Sequence, residues 1–175
     1  SRSPGTTYSV TTTATNSSGA GTSSTTSTFT TPLAVAVSVA SETGTVGSAF
    51  TAISVSIDAT SPTNTTYSIS GPLPAGLTLD SATGEISGTP TISSAATVYT
   101  ITASTTVAGG ATSTGTATVT IRVIANVPGA PASVTASPTS TTSANVSVGA
   151  STTNGGAAIT SYNVTVSPVS SGSVG

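Results

Sequence analysis

Histidine, cysteine, methionine, tryptophan, lysine and glutamine are all missing from this chain of 175 residues. Each absence closes a route to function. Without His or Cys there is no Ser/His/Asp triad, no Cys/His pair and no zinc centre built on those ligands. With two Arg and no Lys there is no basic surface to follow phosphates, so nucleic acid is not an expected partner. Acid/base and nucleophilic chemistry is left with four carboxylates, Glu42, Asp58, Asp80 and Glu85, and with ordinary hydroxyls. The chain is expected to be non-catalytic and to need no cofactor. No disulfide can form, which removes the usual compositional pointer to an oxidising compartment. No run of eighteen apolar residues occurs, so no membrane insertion is expected. Ser1-Arg2-Ser3-Pro4 has no signal-peptide character, and residue 1 reads as the middle of a longer polypeptide.

Charge is also scarce: 3% of residues are charged, where a soluble domain carries about a quarter. Polarity comes instead from Ser, Thr, Asn and Gly. The net charge of -2 and mean hydropathy of +0.30 do not fit the low hydrophobicity and high charge of a disordered chain. Thr and Val suit a pleated, half-buried surface. A mucin-like stalk would share the Ser/Thr richness but not an apolar alternation.

That alternation is present throughout. Tyr8, Val10 and Ala14 share one face, opposite Ser9, Thr11 and Thr13. The same period-two pattern recurs in Val35, Val37 and Val39, in Ile53, Val55 and Ile57, and in Tyr99, Ile101 and Ala103. It is cleanest in Ala117, Val119, Ile121 and Val123, and it returns in Tyr162, Val164 and Val166. No segment has the i, i+3, i+4, i+7 stripe of a helix. Turn-forming clusters separate the runs: Asn16-Ser17-Ser18-Gly19, Ser41-Glu42-Thr43-Gly44, Gly71-Pro72-Leu73-Pro74, Asp80 to Gly84, Ala108-Gly109-Gly110 and Asn154-Gly155-Gly156. Pro-marked joints at Thr31-Pro32 and at Asn126 to Pro131 divide the chain, because Pro lacks the N–H that a central strand needs. The expected fold class is all-β, with immunoglobulin-like β-sandwiches in tandem.

Thr66-Tyr67-Ser68-Ile69-Ser70-Gly71, Leu73 to Asp80 and Thr83 to Pro90 closely resemble the Putative Ig domain repeats, relatives of cadherin domains, of large bacterial surface proteins. The resemblance implies a sandwich over 33–126, with Leu77, Leu79 and Ile86 facing one core. Its expected core also includes Val37, Ile53, Val55, Ile69, Tyr99, Ile101, Val119 and Ile121.

The flanks resemble another family. Pro128 to Pro131, Val134-Thr135-Ala136, Ala144 to Val148 and Ile159 to Val164 are similar to the first three strands of a fibronectin type III module, over 127–175. Pro4 to Val10, continuing through Asn16 and Gly21, is similar to the last strands of the same fold, over 1–32. The sequence departs from that family where its Trp is replaced near Val148 and where its Leu, six residues before the late Tyr, is Arg2. Each end reads as part of a module, to be completed by neighbouring modules or by copies of the chain.

Candidate sites are few. Asp80 and Glu85 are the nearest carboxylates, as a glycosidase would need, but they flank a tight turn and are expected to serve it. The cadherin likeness raises calcium, yet six to eight oxygens from clustered acids are required, and four scattered acids do not supply them. Internal isopeptide bonds need Lys, and ester cross-links commonly need Gln. Asn16, Asn64, Asn145 and Asn163 each open an N-x-S/T glycosylation sequon. Tyr8, Tyr67, Tyr99 and Tyr162 read as core, leaving Phe29 and Phe50 for any outward sugar-binding stripe. The resulting expectation is a structural or adhesive spacer of a large secreted or cell-surface bacterial protein. Its rivals are a filament repeat joined by strand pairing and an accessory module of a polysaccharide-degrading enzyme. A surface glycan or protein ligand is not specified by these residues.

Overall fold

The structure, a computed structural model, describes residues 2–167. These residues form strands and no helix. The chain divides into two compact units between Ala125 and Asn126.

The first unit opens with a ribbon. Strand β1 (Thr7–Val10) pairs antiparallel with β4 (Ser27–Thr30), and the tip between them is the short hairpin of β2 (Thr15–Asn16) and β3 (Gly19–Ala20). The sandwich follows: β5 (Ala34–Val37), β6 (Ser41–Thr45), β7 (Val55–Asp58), β8 (Thr63–Ile69), β9 (Leu77–Leu79), β10 (Ile86–Gly88), β11 (Ser94–Thr106) and β12 (Thr112–Ile124). One sheet has the order β6-β12-β11-β8. The opposing layer joins the β5–β7 pair to the β10–β9 pair through an Ile53–Ile86 bridge, which makes two bonds of 3.0 Å.

The alternation read from the sequence decides which face is buried. Along β11, Tyr99, Ile101 and Ala103 point inward, and along β12 so do Val119, Ile121 and Val123. Ile53, Ile86, Ile101 and Ile121 are completely buried. The eleven residues expected in the core all lie in it or pack against it. Burying such a side chain is worth about 1.5–3 kcal/mol, so this cluster is the main source of the unit's stability. The buried polar residues Thr105 and Ser113 are paired: Thr105 Oγ1 donates to Thr63 O at 2.9 Å, and Ser113 Oγ donates to Thr31 O at 2.8 Å.

The structure corrects several sequence expectations. Ser41 to Gly44 form β6 rather than a turn, and β6 runs parallel to β12. Pairing with the free edge of β12 overrides turn-like composition, and Gly44 lets Phe50 pack directly against the backbone. Val39 is not on the strand of Val35 and Val37. It is 38% exposed where the chain leaves β5 to cross to the other sheet. Phe50 is buried at 6% in the core, so it is not available to a surface stripe.

The second unit contains β13 (Pro131–Pro138) and β14 (Ala144–Ser151), an antiparallel ribbon closed by bonds across Thr139 to Ser143. Tyr162, Val164 and Val166 were expected on a further strand but lie on none. Alternation gives them a strand's pattern, while no segment among the described residues supplies the ladder. Tyr162 was expected in a core and is 41% exposed, with its hydroxyl accepting the Ser151 N–H at 3.0 Å.

Candidate interaction surfaces

The segment 73–90 places the chain's most distinctive residues. Gly76 (φ 92°) and Gly88 (φ 133°) face one another where β9 begins and β10 ends. A Cβ on Gly76 would run into the Thr89 carbonyl oxygen, and one on Gly88 into the Gly76 carbonyl oxygen. Two backbones therefore approach more closely than any side chain allows. Between them, Asp80 organises the turn. Its Oδ1 accepts the N–H groups of Ala82 at 2.8 Å and Thr83 at 3.2 Å, and its own N–H donates to Glu85 O at 2.8 Å. Those backbone donors hold the Asp80 carboxyl below its ordinary value of 3.8.

Asp80 and Glu85 are thus neighbours because they open and close one turn. The Asp80 carboxylate already serves that turn, and both residues are exposed. Glu42 lies on β6 opposite Ile121, and Asp58 ends β7 opposite Ala34. Among the described residues no three acids gather as a metal site would require. The side-chain contacts that do form between polar residues join hydroxyl to hydroxyl, such as Thr6 to Thr60 and Thr7 to Thr30, both at 2.9 Å.

The four sequon asparagines are all exposed. Asn16 accepts the Ser18 N–H at 2.9 Å through Oδ1 and so shapes the β2–β3 turn. Asn64 adopts a left-handed backbone (φ 52°) on β8, Asn145 lies on β14, and Asn163 is beyond it.

Sequence reasoning missed a cluster on the N-terminal ribbon. Tyr8 and Phe29, cross-strand partners, stack with centroids 5.5 Å apart, and the Arg2 guanidinium lies 4.7 Å from the Phe29 ring and 5.7 Å from that of Tyr8. Tyr8 is half-buried here rather than in a closed core. The Tyr8 hydroxyl accepts the Ser3 N–H at 2.7 Å, a tyrosine bonding back to backbone upstream of its own strand. That is the arrangement called a tyrosine corner in immunoglobulin-type sandwiches. Arg2 covers the rings with its guanidinium where a Leu would use an isobutyl group. The signal was the spacing of Arg2, Tyr8 and Phe29, which becomes legible only once β1 and β4 are known to pair.

The clefts are shallow. One of about 380 Å³ is lined by Ala14, Asn16, Ser18 and Gly21 among others, with no ionisable group.

The two facing sheets, with β5 in one and β6 in the other, and the parallel β6–β12 edge define residues 33–124 as an immunoglobulin-like sandwich. The chain belongs to the Putative Ig domain family, whose profile matches residues 31–124, more than half of its length. A search of curated proteins finds no match.

Proposed function

We propose that this chain is a structural, load-bearing segment of a large secreted or cell-surface bacterial protein, and not an enzyme. The observation that carries this reading is the parallel pairing of β6 with β12, the early and last strands of the sandwich. Ser41 to Thr45 lie alongside Thr120 to Ile124. Tension applied at the two ends of 33–124 pulls parallel neighbours in opposite directions, so their hydrogen bonds are loaded together in shear instead of opening one by one. An antiparallel pairing of these two strands would not give this geometry at the two ends. The flanking segments, with their fibronectin type III likeness, extend the same string of sandwiches. The tyrosine corner at Tyr8 supports that likeness for residues 2–32, and the β13–β14 ribbon is compatible with it for 126–167.

Single-molecule stretching of the full chain tests the proposal. Unfolding of 33–124 should appear as one event releasing about 300 Å of chain, at roughly 3.3–3.6 Å per residue. Thr120 donates to Ala40 O at 2.9 Å and Val46 donates to Ile124 O at 3.0 Å, so Glu42, in phase with both, faces β12. Glu42→Pro removes a ladder donor there and should lower the unfolding force. Gradual extension without a discrete event, or an unchanged force in Glu42→Pro, would remove the mechanical reading.

A further inference from the structure

The N-terminal ribbon is seated on one pole of the sandwich, and Gly5 is the point of closest approach. It is buried, its backbone is left-handed (φ 53°), and a Cβ there would come within 2.7 Å of Leu33 Cδ2 and 2.8 Å of Ala59 Cβ. The Leu33 methyl could turn aside, but the Ala59 Cβ has no such freedom. Glycine is the residue that accepts this φ without strain and adds no side chain to hold the two backbones apart. Leu33, at the step from ribbon to sandwich, is buried, and so is Val107 in the β11–β12 turn.

Polar contacts fix the same seat. Thr6 and Thr60 join hydroxyl to hydroxyl at 2.9 Å, and Ser113 Oγ donates to Thr31 O at 2.8 Å. Thr60 lies between β7 and β8, and its carbonyl accepts the Ala108 N–H of the β11–β12 turn at 3.4 Å. A Cβ on Gly109, in that same turn, would lie 3.7 Å from Thr7 Cβ, so the turn passes against β1. The ribbon thus rests on the β7–β8 connection, on the β11–β12 turn and on the start of β12. Contact with one segment would leave a hinge, whereas contact with three separate segments removes the rotations a hinge keeps.

The connection itself has no slack. Strand β4 ends at Thr30 and β5 begins at Ala34, so Thr31, Pro32 and Leu33 alone join the two. The Thr31 N–H donates to Thr6 O at 3.0 Å, Pro32 O accepts the Gly5 N–H at 2.9 Å, and the Leu33 N–H donates to Thr114 O at 3.1 Å. The proline ring fixes φ at the middle residue. Parts of a chain that meet through a small interface are expected to move relative to one another, and here every linking residue is tied down.

We infer that the ribbon and the sandwich form a stiff joint, locked by Gly5 against Leu33 and Ala59, which keeps residues 2–32 in one direction relative to 33–124. The inference rests on the structural-segment reading and deepens it, because a segment that holds other parts at a distance must preserve direction as well as length. None of the residues that make these contacts is ionisable, so the joint is expected to hold without a bound cation and to ignore the screening that weakens charge pairs.

Distances between paired spin labels test it. The chain has no cysteine, so introduced thiols carry the labels alone. Ser9→Cys with Thr118→Cys spans the joint, and Ser56→Cys with Thr118→Cys spans the sandwich and gives the width of a rigid body; all three positions are exposed. In the full chain both pairs should show a single distance distribution of the same width, unchanged by calcium, by chelator or by salt. Gly5→Leu should spread the first pair over a hinged range and leave the second as it was. Gly5→Ala, which brings the same Cβ and nothing more, should spread it less, and it decides the matter if Gly5→Leu loses the Tyr8–Phe29 cross-strand contact by NMR. A first pair already broad in the native chain overturns the inference, as does one that narrows only when calcium is added. Native width in both Gly5 variants overturns it too. No force is applied in this experiment, so the joint and the unfolding force of 33–124 fail separately.

Discussion

Ile121 on β12 and Val134 on β13 stand on strands of the same kind, alternating apolar and hydroxyl-bearing residues. Yet Ile121 is fully buried, while Val134 is 62% exposed. The difference lies outside either strand. Strand β12 has β6 and β11 beside it and the β5–β7 and β9–β10 layer across from it, whereas among the described residues β13 has β14 alone. Alternation gives a strand a face that can be buried, and a second sheet is what buries it.

The largest expected effect measures that contrast directly. Ile121→Ala and Leu77→Ala remove buried side chains from a closed core and should each cost about 2–5 kcal/mol. Val134→Ala should change the stability of the isolated chain by no more than about 0.5 kcal/mol, as for an ordinary surface position. Chemical denaturation of dilute protein, followed by signals from each unit, gives both numbers. Equal costs at Ile121 and Val134 would show that the second unit has a core after all.

A smaller loss is expected at Gly76. Alanine there must accept a φ of 92° and displace the Thr89 carbonyl. Holding a non-glycine residue in such a region costs about 1–3 kcal/mol, and the contact adds to it. Glycines at loop tips with open space around them offer the comparison: a Cβ on Gly110 meets nothing within 4 Å, so Gly110→Ala should bear only the backbone part of the penalty. If both variants melt at the same temperature, the close approach of β9 and β10 is not a constraint on the fold.

These positions also show what the sequence could reveal. The inward residues of β7 to β12 were legible because burial there follows a strict period of two, and the 73–90 segment because its Gly, Pro and Asp residues are tied to one turn geometry. Strand β6 was not legible. Ser41-Glu42-Thr43-Gly44 has the composition of a turn, and only the free edge of β12, eighty residues away in sequence, makes it a strand. Phe50 was hidden for a similar reason: it lies outside every alternating run and enters the core by packing on Gly44. In the second unit the reverse happened, and Tyr162 to Val166 carry a strand's pattern with no ladder partner among the described residues. Of the candidate sites, the turn role of Asp80 could be read from spacing, whereas the Arg2, Tyr8 and Phe29 stack depends on a pairing of residues 21 apart in sequence that no local pattern announces.

The smallest effect separates the units by acid. Asp80 has its carboxyl lowered from 3.8 by the Ala82 and Thr83 N–H groups, which favour the ionised form. Its folded value is therefore below its unfolded value. Stability from this group is fully present above the ordinary aspartate range and is lost as pH falls through the lower, folded value. Asp80→Asn keeps an oxygen acceptor but loses the charge that strengthens both bonds. Wild type should melt slightly higher than Asp80→Asn near neutral pH, and the gap should close as the solution is taken below pH 3.8. Amide signals of residues 80–85 should titrate over the same range, while those of β13 and β14 stay flat, because 126–175 contains no acidic side chain. A gap that persists unchanged into strong acid would mean that the Asp80 carboxylate contributes nothing through its charge, and that the turn is held by the Gly84 N–H to Asp80 O bond of 2.8 Å and its backbone neighbours alone.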